Sequence, residues 1–116
     1  MANTFKVKTN GALPTASGTA DTLYTVPSST TCVIIGLTLC NINTTAVTAS
    51  VLIESDTSDT ETNENVNVVK DIPIPVGSSV EVLTGGKYVL QATDVLKIDC
   101  SVAAKIDATL SILEIT

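Results

Sequence analysis

Apolar and polar residues alternate along this chain with a period of two, and turn residues cut the alternation into short segments. The longest apolar run is Thr31–Ile42, which carries no charge. Val33, Ile35, Leu37 and Leu39 share one parity; Cys32, Ile34, Gly36, Thr38 and Cys40 share the other. Both faces can be covered. The β-branched content and the flanking Pro27-Ser28-Ser29 and Asn41–Asn43 segments predict a central strand.

The other segments read as strands beside or against it. Ala46–Glu54 places Val47, Ala49, Val51 and Ile53 inward, and the pattern predicts that it pairs antiparallel with the central strand. Further strands are expected at Thr22–Val26, Val66–Lys70, Ser78–Leu83, Lys87–Leu90, Val95–Cys100 and Asp107–Ile115. In Asp71–Gly77, Pro73 and Pro75 point to an extended segment at a sheet edge. No helical period lasts longer than a turn. Eight or nine short strands predict an all-β fold, a two-sheet antiparallel β-sandwich that is jelly-roll-like or immunoglobulin-like.

The amino-terminal part differs. Ala2–Lys8 sets Phe5 and Val7 on one side and Lys6 and Lys8 on the other. It reads either as an edge strand guarded by lysines or as an arm laid across a neighbouring subunit. Asn10–Asp21, rich in Gly, Ala, Ser, Thr and Pro, reads as a linker. The expected organisation is an arm and linker over 1–21 and one sandwich over 22–116.

Length and composition narrow the picture. A chain of 116 residues is the size of one domain. Mean hydropathy of +0.40 is high for so small a chain. It fits either apolar residues that cover a partner subunit or a small two-layer protein that needs them all for its own core. The net charge of −6 comes from six lysines against twelve acids, without arginine or histidine. There is no basic track or aromatic platform for nucleic acid. No segment suits a secretion signal or a membrane-spanning helix, so the expected place of synthesis is the cytoplasm. Cys32 and Cys40 would lie about 26 Å apart on one extended strand and cannot pair there. The three cysteines are expected as small buried thiols, and no spacing suggests zinc.

Catalytic chemistry is not indicated. Without histidine, Ser/His and Cys/His arrangements are excluded. Asp94 could meet Asp99 or Asp107 through folding, yet such pairs are usually surface charges. Ser55–Asn65 carries Asp56, Asp59, Glu61 and Glu64 and reads as an exposed acidic loop. A calcium loop is the sharper alternative, but the glycine and terminal glutamate spacing of an EF-hand is missing. The expectation is a non-enzymatic protein with no cofactor.

Three stretches carry a resemblance: Leu23–Asn41, Pro73–Leu83 and Leu90–Ile98. Their order is a Leu-Tyr-x-Val-Pro turn, a long apolar strand ending near Asn, a Pro-x-Pro-x-Gly turn, a Gly-Gly hairpin and a Leu-x-x-x-Asp-x-Leu strand. Over roughly residues 20–116 the chain resembles small structural proteins of tailed bacteriophages, especially those of cyanobacteria. The resemblance implies a β-sandwich virion component present in many copies. The first expectation is a capsid decoration or cement protein that contacts the major capsid protein and self-associates, as a homotrimer at local three-fold positions. The alternative is a tail, neck, baseplate or fibre component. Phe5, Val7, Leu113 and Ile115 are the expected interface residues.

Overall fold

In the computed structural model the described residues are 2–55, 63–83 and 87–116, and they carry nine strands. These are β1 (Asn3–Leu13), β2 (Asp21–Thr25), β3 (Thr31–Asn41), β4 (Val47–Glu54), β5 (Val66–Ile74), β6 (Ser79–Glu81), β7 (Tyr88–Leu90), β8 (Val95–Cys100) and β9 (Ile106–Ile115). Two antiparallel sheets pack into a β-sandwich. The first has the order β1-β9-β3-β6, with β7 also on β3; the second has the order β2-β8-β4-β5. β6 borders Thr38–Cys40 and β7 borders Cys32–Ile34, so together they act as one interrupted strand along β3. Counted that way, each sheet has four strands, and the chain changes sheet at every step except β4 to β5. Of the two topologies considered, this is the jelly-roll arrangement.

The long apolar run became β3, between β9 and the β6/β7 strand. Its parity is not continuous. Ile34 pairs with Ile112 and Gly36 with Ser111, so Ile35 is an extra residue, a β-bulge. Cys32 and Ile34 point into the core before the bulge; Leu37 and Leu39 do so after it. The bulge therefore reverses the side-chain alternation, and Val33 and Ile35 turn outward instead of sharing a face with Leu37 and Leu39. A carboxylate from β6 holds it. Leu37 N–H donates to Glu81 Oε1 at 2.9 Å, and Thr38 Oγ1 donates to Oε2 at 2.8 Å.

β4 buries Val47, Ala49, Val51 and Ile53 as its alternation predicts. It does not pair with β3: β4 lies between β8 and β5 in the second sheet. The turn after β3 crosses between sheets because Asn41 ties the corner down. Its amide donates to Ile74 O at 2.9 Å and Thr45 O at 3.0 Å, and its Oδ1 accepts from Asn43 N–H at 2.7 Å. Asn41 is buried, and these bonds satisfy it there.

Of the two readings of Ala2–Lys8, the structure adopts the edge strand. β1 pairs with β9 from Asn3↔Ile115 to Leu13↔Ile106 and so includes Asn10–Leu13, which had been expected to begin the linker. Asn10 and Leu13 pair with β9 on either side of an irregularity at Gly11-Ala12, and Leu13 is buried in the core. The remaining connection is the loop 14–20. β5 forms the opposite edge, and Pro73 lies within it, where one missing donor costs no ladder bond.

Candidate functional site: the outer face of the first sheet

β1 is amphipathic in the reverse sense. Thr4, Lys6, Lys8 and Asn10 pair with Glu114, Ile112, Leu110 and Ala108, the core-facing residues of β9, and so share their side of the sheet. Phe5 and Val7 share the outer side with Leu113 and Ser111. Phe5 is 74% exposed and Val7 66%. β1 thus turns its apolar side to solvent and its lysines toward the sandwich. A strand stabilised only by its own domain would be arranged the other way.

The register extends this apolar side across the whole sheet. Phe5 pairs with Leu113, Leu113 with Val33, and Val33 with Val89. Four apolar side chains thus stand in one row over β1, β9, β3 and β7. Val89 is 63% exposed, and Ile35 is exposed at the bulge; Val33, Leu113 and Ile115 are half-buried by neighbours on the same face. The next row toward the chain ends is Asn3–Ile115–Thr31, and the next row away is Val7–Ser111–Gly36. None of these positions is charged. All four expected interface residues, Phe5, Val7, Leu113 and Ile115, lie on this one face. Val33, Ile35 and Val89 complete it. The sequence hides Val33 and Ile35 because the bulge reverses their parity, and Val89 because three residues of β7 are too few to show a pattern.

Between the sheet edges β1 and β2 lies a cleft of about 480 Å3, lined by Lys6, Lys8, Asn10, Thr22, Tyr24 and Glu114 among others. Glu114 is buried. It sits on the parity of Leu110 and Ile112, which is the signal that could have placed it. Tyr24 Oη donates to Glu114 Oε2 at 2.5 Å, joining the two sheets, and Lys6 Nζ lies 2.8 Å from Oε1. The hydrogen bonds from Lys6 and Tyr24 outweigh burial and hold the Glu114 carboxyl below the usual carboxylate range. Burial, with the neighbouring Glu114, pushes the Tyr24 hydroxyl far up. Burial also raises the Cys32 thiol, against a hydrogen bond with Tyr24 that lowers it. This network joins the sandwich halves, and among the described residues no buried polar side-chain atom is left without a partner.

Each of the carboxylates weighed as a pair accepts from a backbone N–H. Asp94 accepts from Gln91 N–H at 2.9 Å, Asp99 from Cys100 N–H at 2.8 Å, and Asp107 from Ala12 N–H at 2.9 Å. All three cysteines are free; Cys32 and Cys100 are buried and Cys40 is half-buried. Residues 56–62 of the acidic stretch, where the calcium reading falls, lie outside the described residues. No helix of the described residues is long and apolar enough to cross a membrane.

Comparison with protein-family models, with characterised proteins and with solved structures gives no match.

Proposed function

We propose that this chain is a non-enzymatic structural protein of a virion, a decoration protein that stabilises contacts between coat subunits. The observation that carries this reading is the apolar row Phe5–Leu113–Val33–Val89, which crosses all four strands on the outer face of the first sheet. Core packing does not explain it, since the sandwich is filled from the other side by Ile34, Leu37, Leu110 and Ile112. Contiguous apolar surface of this kind marks a protein contact site. The jelly roll recurs in viral capsid domains as well as in lectins and cupins, so the architecture agrees with the reading by analogy only. The resemblance of residues 20–116 to tailed-phage structural proteins supplies the virion context, with the major capsid protein as partner.

The test is to mix the purified chain with empty shells assembled from a tailed-phage coat protein taken from the same source as the chain. A decoration protein co-sediments at a saturating ratio and raises the temperature at which the shells dissociate. Absence of co-sedimentation at micromolar concentration would refute the proposal.

A further inference from the structure

The free edge of β1 is a separate feature from the outer face, and what it binds does not depend on the function proposed above. We infer that this edge takes up an extended segment of another protein as an added strand, with acidic residues at alternate positions beside Lys6 and Lys8.

The backbone is open along this edge. Ala2 and Thr116 exchange both of their hydrogen bonds, at 3.1 and 2.9 Å, and the register then runs unbroken from Asn3↔Ile115 to Asn10↔Ala108. Hydrogen-bonded pairs alternate along an antiparallel ladder, so Thr4, Lys6, Lys8 and Asn10 bond to β9. Asn3, Phe5, Val7 and Thr9 turn their N–H and C=O groups the other way. β1 is the last strand of its sheet, and those outward groups are a template for a further strand.

Charge selects the occupant. Residues directly opposite one another in an antiparallel pair share one side of the sheet, with Cβ atoms about 4.5–5.5 Å apart. A strand bonded to Phe5, Val7 and Thr9 therefore sets its intervening residues opposite Lys6 and Lys8, beside the cleft between β1 and β2 that both lysines line. Two of the six lysines of this acidic chain thus stand together on one side of one edge. Glu114 pairs with Lys6, and among the described residues no carboxylate pairs with Lys8. Acids opposite these lysines gain from both. A second copy fits badly, because two β1 strands paired antiparallel about Lys6, Val7 or Lys8 set lysine opposite lysine. On the other side of the added strand its residues adjoin Phe5 and Val7, which are exposed, so apolar residues suit those positions. Lysines that served only to guard the edge against pairing would not leave that apolar side open next to it.

The test adds synthetic peptides of about eight residues to the full chain, with valine alternating with glutamate, with lysine or with threonine. Binding is followed by NMR titration and amide hydrogen exchange. The glutamate peptide should bind with a Kd below about 1 mM, slow exchange at the Phe5, Val7 and Thr9 amides, and weaken as salt rises. The threonine and lysine peptides should bind at least about tenfold more weakly. Lys8→Glu, at an exposed position, should reverse the preference between the glutamate and lysine peptides. Val7→Pro removes an edge donor without breaking a bond to β9, and should weaken binding of the glutamate peptide at least about tenfold. Unchanged circular dichroism would show that both variants fold. No binding of the glutamate peptide at about 1 mM, equal binding of the glutamate and lysine peptides, or a preference that Lys8→Glu leaves unchanged would overturn the inference.

Discussion

Phe5 on β1 stands directly opposite Leu113 on β9, on the side of the sheet away from the core. The pair lies between hydrogen-bonded pairs of the ladder and leaves the Phe5 ring in solvent. An exposed ring in this position adds little to the stability of the sandwich itself.

Stability measurements should separate the two faces of this sheet. Phe5→Ala should cost less than about 0.5 kcal/mol, because the ring is already largely exposed. Ile112→Ala, one residue from Leu113 but fully buried, should cost about 2–5 kcal/mol. Urea unfolding of the two variants checks this.

The Tyr24–Glu114–Lys6 network should impose a pH dependence. The Glu114 carboxyl titrates lower in the folded chain than in the unfolded one, so its contribution is complete above the unfolded value of about 4.3. It is lost as pH falls below that value and through the folded one. Tyr24 works in the opposite direction. Its folded value is raised, so that contribution is present below about 10 and is lost as pH rises past it. Glu114→Gln should flatten the acid limb of a stability–pH curve, and Tyr24→Phe should flatten the alkaline limb beyond what Cys32 contributes there.

Glu81 should hold the bulge that turns Val33 and Ile35 outward. Burial alone would raise its carboxyl, but hydrogen bonds from Leu37 N–H, Thr38 Oγ1 and Leu83 N–H prevail and lower it. Glu81→Ala should destabilise the chain by about 1–3 kcal/mol and speed hydrogen exchange at the Leu37 amide. Unchanged exchange there would mean that the bulge holds itself.

Asn41 should be as costly to remove as a core residue. Asn41→Ala leaves Ile74 O and Asn43 N–H without their bonds to it and opens the corner that sends β4 to the second sheet. The expected loss is about 2–4 kcal/mol, read from thermal or urea unfolding.

Most of the strands were legible because alternation and turn residues are local signals. Val47 to Ile53 shows this well, since each second residue is buried as the pattern requires. The partners of strands were less legible. β3 and β4 follow one another through a short turn, yet Asn41 directs them to different sheets through bonds to residues more than thirty positions away. The candidate face was half legible. Phe5 and Val7 stood out against Lys6 and Lys8, and Leu113 and Ile115 against a polar alternation. Strict alternation groups Val33 and Ile35 with Leu37 and Leu39, and the one extra residue at the bulge, which no local signal marks, undoes that grouping. Glu114 was not legible as a buried group, because its partners Lys6 and Tyr24 come from strands about ninety or more residues away.

Electron cryomicroscopy of intact particles that contain this chain tests the central claim most directly. The account predicts density for many copies over the junctions between coat subunits, with Phe5, Val33, Val89 and Leu113 covered by protein. Density confined to the tail, or copies on the capsid with that row open to solvent, would contradict it.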